Sequence, residues 1–306
     1  MTLYAQVLKV DKYTTTEPMK VAELAHGAVT MRKMPPYVPS TTLFGAWLAQ
    51  QISSNQIKKP PRPHDVLNFL KKQNELHFYP ALLQVEGMLG TFQCEKTMCT
   101  LVDFASLGAY TASIKPTKPR LELRVGIYID RAAKTGKYGA FYTYTVAVAE
   151  RDKIGLVTAA PPLGQRLQVG YKKTYGLGEA EVEKATPVAP VKSNKFLLLA
   201  PTPISTLTNL KIKAIKVKYY PRYYIYLLIT NRFYVVGRHF DEPYAAPGTE
   251  ITLEDSAHPF ELWGQIANQI DEMKVWRQNG RQEDEEVAEL VKAKAKATLA
   301  APVALI

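Results

Sequence analysis

Three stretches of this chain concentrate side chains able to hold phosphate, sugar and base. The first is VGYKKTYGLGEAEVEKA, in which Gly170, Gly176 and Gly178 free the backbone for positive φ and close approach. Consecutive N–H groups of such a loop form a concave anion site. Lys172 and Lys173 reinforce it, and Tyr171 and Tyr175 can stack on a base or hydrogen-bond a sugar. The second stretch is RVGIYIDRAAKTGKYGAFYTYTV. Here Arg131, Lys134 and Lys137 lie between two β-forming runs, with Gly136 and Gly139 at the expected turn, so a basic hairpin tip is predicted. The third is HGAVTMRKMPPYVPSTTLFGA, where Arg32 and Lys33 precede a helix whose free amides follow Ser40 and favour phosphate. Each pattern also has a plain structural reading: a glycine hairpin, a solvated turn and a capped helix.

Metal and covalent chemistry find little support. His26, His64, His77, His239 and His258 form no HExxH, HxH or Hx(3–5)H pair. His64-Asp65 matches only the core of an HD phosphohydrolase motif, and its other ligands would have to come from scattered positions. Cys94 and Cys99 are too few for a disulfide framework or a four-cysteine zinc cluster; buried or half-buried thiols in a reducing cytoplasm are expected. No GxxxxGK[ST] loop, GxSxG elbow or GxGxxG fingerprint occurs. No metal or cofactor is therefore expected. One catalytic alternative stays open: His26, in the polar loop after the first strand, can act as base towards a ribose 2′-hydroxyl while a lysine steadies the phosphate, which is all that metal-free RNA cleavage needs.

Positioning these loops falls to short strands and a few helices. LYAQVLKV reads as a first strand. Pro35, Pro36 and Pro39 keep the chain extended up to Ser40, the expected cap of a helix over Thr41–Ile52. A helix at DVLNFLKKQN follows, then strands at LHFYPALLQV, RLELRVGIYID, AFYTYTVAVAE and KIGLVTA. ATPVAPVKSN, near 185–194, is the expected linker between residues 1–185 and 194–306, and a second set of elements begins at KFLLLAPTPI. Strands interspersed with helices in two successive sets predict an α+β protein of two open sheets, each backed by helices.

The 306 residues, 46% hydrophobic, suit a packed globular protein and exclude disorder and collagen-like repetition. The first residues lack the apolar core of a signal peptide, and no run of about 18 apolar residues occurs, so neither export nor membrane spanning is expected. A formal charge of +11 suits a polyanionic partner. That charge is uneven: +9 over residues 1–190, +9 over 191–240, −10 over 241–290 and +3 thereafter. KIKAIKVKYYPRYYIYLL sets Lys211, Lys213, Lys216 and Lys218 among apolar residues in near strand alternation with a slip at Ala214, followed by a run of tyrosines. It reads either as a basic nucleic-acid surface or as a lysine-protected edge strand beside a tyrosine-rich core strand. Leu262, Ile266, Ile270 and Met273 mark one helical face, and RQEDEEVAELVKAKAKATLAAPVALI reads as a terminal helix with a loose tail.

Taken in order, PPYVPSTTLFGAWLA, RVGIYIDRAAKTGKYGAFYTY and VGYKKTYGLGEAEV resemble the RAMP superfamily of CRISPR-associated proteins. They look like its proline-rich entry to the first helix, its R-x-G-I-x-I-D segment leading into a basic turn, and its glycine-rich loop before a strand. FLLLAPTPI and AAPGTEITLE resemble elements of the second half more weakly. Within the superfamily the arrangement is most similar to the subunit of type III effector complexes, Cmr or Csm, that holds the 5′ handle of the CRISPR RNA.

The resemblance implies two ferredoxin-like, RNA-recognition-motif-like domains. Residues 1–185 would carry the glycine-rich loop, and 194–306 would be a degenerate copy with terminal helices. It implies a cytoplasmic, non-catalytic RNA clamp of an antiviral complex, docked on the large polymerase-cyclase subunit and on backbone subunits, and meeting target RNA only indirectly. The matched positions are Arg32, Lys33 and Ser40, then Arg131, Lys134 and Lys137, then Tyr171, Lys172, Lys173, Tyr175, Gly176 and Gly178. Two rivals remain: a metal-free endoribonuclease of the same superfamily using His26, and a general single-stranded nucleic-acid binder.

Overall fold

A computed structural model describes residues 2–13, 37–59, 61–73, 75–115, 119–130, 135–149, 155–170, 178–220, 222–226, 237–277 and 280–306. The first part supplies β1 (Tyr4–Val10), β2 (Lys12–Tyr13), α1 (Ser40–Ser53) and α2 (Pro63–Lys72). A meander follows, of β3 (Leu82–Glu86), β4 (Leu89–Glu95), β5 (Met98–Asp103) and β6 (Gly108–Ser113). Next come the long hairpin of β7 (Arg120–Asp130) and β8 (Thr135–Val148), then β9 (Gly155–Ala160), β10 (Arg166–Gln168) and β11 (Glu179–Pro187). The second part opens with β12 (Ser193–Leu198), β13 (Thr202–Pro203), the single turn α3 (Ser205–Thr208) and β14 (Ile212–Lys216). It continues through β15 (Tyr219–Tyr220), β16 (Ile225–Tyr226), β17 (Gly237–Phe240), β18 (Tyr244–Ala245) and β19 (Thr249–Ala257). Helix α4 (Pro259–Ile270), β20 (Val275–Arg277), α5 (Glu285–Thr298) and β21 (Pro302–Leu305) complete it.

One twelve-stranded sheet runs through both parts, in the order β10-β11-β1-β9-β3-β4-β5-β6-β21-β12-β19-β14, beside three sheets of three strands. Two separate open sheets were expected; instead β6 and β21 pair in parallel and join the halves edge to edge. The order repeats within it. In β11-β1-β9-β3 and again in β21-β12-β19-β14, the fourth strand in chain order flanks the first, the third lies on the first's other side and the second lies outermost. Every neighbouring pair in both sets is antiparallel.

Strand alternation directs side chains to three apolar layers. Leu8, Leu156 and Ala160 pack under α1, α2 and α5 with Leu43, Phe44, Val66, Leu70 and Leu290. Phe196, Leu198, Ile251 and Ala304 pack under α3 and α4 with Leu207, Leu262 and Ile266. The intervening residues of the two halves, Ala5, Val157 and Ala159 on one side and Leu197, Leu199 and Val303 on the other, share a third cluster. The sheet surfaces turned away from the outer helices are thus buried in one shared cluster, together with Tyr79, Phe92, Phe104 and Trp263.

Three expectations are corrected. The last residues are not a loose tail: Val303 and Ala304 are fully buried on β21, between β6 and β12. Ala300 and Ala301, at φ +67° and +44°, turn the chain out of α5, and Pro302 opens a strand where its missing N–H is tolerated. Cys94 and Cys99 are not free thiols but a disulfide across the directly opposed pair of the β4–β5 hairpin, with Cα atoms 4.0 Å apart. Met273 lies beyond α4, which ends at Ile270. Among the described residues no helix is long and apolar enough to cross a membrane.

Candidate nucleic-acid interface

The tripeptide Asp11–Lys12–Tyr13 joins the roots of two of the three chemistry-bearing loops. Apolar strand β1 ends at Val10, and the polar Asp11 and Lys12 carry the chain past the sheet. The carbonyl of Asp11 accepts from the Ala149 N–H at 2.8 Å, and Lys12 and Tyr13 pair with Val148 and Ala147 on β8. The long basic hairpin therefore starts here. The carbonyl of Lys12 accepts from the Gly178 N–H at 2.7 Å, while the Gly178 carbonyl accepts from the Val169 N–H at 2.8 Å, closing the base of the glycine loop. The segment that carries His26, Arg32 and Lys33 begins directly after Tyr13. Sequence reasoning missed this anchor. Its one signal is an Asp-Lys-Tyr break after an apolar strand, which is common.

Glycine is required at both ends of that loop. Gly170 has φ +86° and Gly178 φ +81°, the left-handed region that side chains other than glycine's rarely adopt. A Cβ on Gly178 would collide with the Val169 carbonyl oxygen. Tyr13 is buried beside this base with its hydroxyl unpartnered among the described residues, and burial raises its pKa, keeping the phenol neutral.

On the hairpin, the three residues from Ile127 to Ile129 face the six from Gly136 to Phe141 on β8. Lys137 and Gly139, expected near the turn, fall in this bulged stretch of β8, and residues 131–134 lie outside the described residues. Such bulges bend a strand and re-aim what it carries.

Ser40 requires a correction as a cap. It is the first residue of α1, after Pro39, and makes no cap bond on that helix. Its buried hydroxyl instead donates to the Thr298 carbonyl at 2.6 Å. The last carbonyls of a helix lack partners within it; at the end of α5 Ser40 supplies one, the Phe78 N–H reaches Ala297 at 2.8 Å and the Trp263 Nε1–H reaches Lys296 at 2.8 Å. The Ser40 hydroxyl is thereby committed to holding α1 on α5. Arg32, Lys33, Arg131, Lys134, Tyr171, Lys172, Lys173, Tyr175 and Gly176, and His26 of the catalytic alternative, lie outside the described residues.

No group of three His, Cys, Asp or Glu side chains able to hold a metal occurs among the described residues. His64 is half exposed, 3.1 Å from Asp65 and 3.9 Å from Glu286. A cavity of about 280 Å³ between α2, α4 and α5 is lined by His77, Asp271 and Lys296, and Lys296 is paired with Asp271 at 2.7 Å.

No family model matches the sequence, and no curated protein matches it. The fold, however, has solved counterparts. One is a chain in a cryo-EM structure of the Type III-B Cmr-beta bound to cognate target RNA: 13% identity, TM-score 0.53, with 96% of this chain and 94% of that chain covered. A second, from the structure bound to cognate target RNA and AMPPnP in state 1, gives 13% identity and TM-score 0.51 with the same coverage. At this identity the likeness is one of fold, and it extends over nearly the full length of both chains.

Proposed function

We propose that this chain is a non-catalytic RNA-binding subunit of a type III CRISPR effector complex. It would hold the 5′ handle of the CRISPR RNA, in the position of the third Cmr subunit or its Csm counterpart. The convergence of the hairpin and glycine-loop roots on Asp11–Tyr13 carries this reading. Glycine-loop amides and hairpin cations would then act on one strand of RNA rather than as two scattered patches. The full-length likeness to chains of Cmr-beta structures that contain target RNA supports the same conclusion. Two ferredoxin-like modules account for the repeated order β11-β1-β9-β3 and β21-β12-β19-β14.

The buried inner sheet surfaces bear on the mode of binding. Single RNA-recognition modules stack bases on an open sheet face. Here those faces are buried in a shared apolar cluster, so the loops would grip backbone and sugar and splay out a few bases. Partners would be the large polymerase-cyclase subunit and the backbone subunits, with target RNA reached only through the assembled complex.

The test is binding and cleavage of labelled repeat RNA in EDTA, by the chain alone and in the assembled complex. Handle RNA preferred over scrambled RNA and left intact is the expected result, with Lys172→Ala/Lys173→Ala weakening binding and flattening its salt dependence. Specific cleavage that disappears in His26→Ala overturns the non-catalytic reading, and loss of preference for the handle makes the chain a general single-strand binder.

A further inference from the structure

The basic segment after residue 210 lies at the opposite end of the sheet order from the glycine-loop strands. Among the described residues β14 is the outermost strand, bonded on one side only, to β19. The structure divides this segment's chemistry in two. Tyr223 is buried, 6% exposed, in a cluster with Phe240 and Tyr244. Lys211, Lys213, Lys216, Lys218 and Tyr219 all face solvent, Tyr219 at 67% and the neighbouring Ile215 at 44%.

Residues 191–240 contain nine cations and no acid. Lys216 meets Glu250 at 3.2 Å, whereas Lys211, Lys213 and Lys218 have no ion pair among the described residues. Eight residues from Lys211 to Lys218, at about 3.3 Å per residue, extend roughly 25 Å, the length of a few nucleotides of single strand. We infer that this edge is a second RNA-binding track, in which the free lysines hold phosphates and the Tyr219 ring stacks on a base. The inference rests on the RNA-binding reading above.

An added protein strand is the other occupant that an open edge invites. The edge is poorly built for it. Lysines along an edge oppose strand pairing, and the register breaks between Ile212 and Ala214, where the sequence alternation slips. The features that obstruct a strand leave ammonium groups and one aromatic ring pointing outward.

The test uses the full chain, oligo(U) RNA containing 4-thiouridine, and three forms: wild type, Lys211→Ala/Lys213→Ala/Lys218→Ala and Lys172→Ala/Lys173→Ala. Three lost phosphate contacts, each contributing about 0.7 to a single-strand salt slope, lower that slope by about 2 in the triple variant. Photocrosslinks in wild type should map to the peptide containing Tyr219. An unchanged slope in the triple variant, with a lower one in the glycine-loop variant, overturns the edge track and leaves the clamp reading standing. Unchanged slopes in both, or no binding and no crosslink in wild type, overturn both. If the triple variant keeps its RNA slope but loses a co-purifying subunit, the edge is a protein-docking strand and the inference fails.

Discussion

The amide of Gly178 donates to the carbonyl of Lys12 at 2.7 Å, across a sequence separation of more than 160 residues. Because the Lys12–Tyr13 strand also pairs with β8, one short strand sets the glycine loop and the basic hairpin in a common frame. A shift of this anchor moves both. The physical demand falls on Gly178, whose backbone is left-handed and whose hydrogen atom faces the Val169 carbonyl.

Gly178→Ala is expected to destabilise the chain by about 2 kcal/mol, since a left-handed alanine is strained and its methyl group displaces backbone rather than a yielding side chain. Chemical denaturation measures the stability. RNA affinity should fall more steeply than in a surface variant of equal stability, because the loop base opens.

Val303→Asp distinguishes a central strand from a loose tail. The side chain is fully buried in the layer shared by both halves, and an unpaired carboxylate there costs about 3 kcal/mol or more. A single global unfolding transition shifted to lower denaturant is expected. A dangling terminus would leave the transition where it was.

The Cys94–Cys99 bridge closes a short hairpin loop, for which chain entropy suggests a contribution of about 2 kcal/mol. Reductant should lower the melting temperature of wild type and leave Cys94→Ser/Cys99→Ser unaffected. Equal melting of wild type with and without reductant would contradict the bridge.

His77 makes stability depend on pH. Its ring packs against Phe260 and Trp263, its Nδ1 is unpartnered among the described residues, and burial lowers its pKa from 6.5 to about 4. Between those values the unfolded chain binds the proton and the folded chain does not, so stability is full above pH 6.5 and is lost as pH falls towards 4. The loss is about 3 kcal/mol at most. Denaturation curves at pH 7, 5.5 and 4.5 measure it, and His77→Phe, which keeps the stacked ring, should flatten the trend in this window.

Local chemistry was legible wherever it needed only neighbours in the chain. β1, α1 and α2 lie within a few residues of their expected positions, because apolar periodicity and proline marked them. The slip at Ala214 in the lysine strand is a register break in β14. Ser40 was legible as a helix start but not as a bond to α5, since its carbonyl partner Thr298 is 258 positions away. The tail AAPVALI carries no strand alternation of its own. It is a strand because β6 and β12 offer it two edges and the Leu197–Val157 layer excludes water. Cys94 and Cys99 were judged by number and compartment, whereas hairpin register decides their pairing.

By itself the sequence determined the cation-rich and glycine-marked loops, the unequal charge along the chain and the alternation of short strands with helices. These follow from side-chain type, charge and backbone freedom, which act over a few residues. Only the tertiary structure decided that the two halves share one sheet, that their inner faces lie in one buried cluster, and that the hairpin and the glycine loop, far apart in the chain, both bond to Asp11–Tyr13. Strand pairing is non-local: its hydrogen bonds are chemically alike at every position, so partner choice is set by which apolar faces can be buried together.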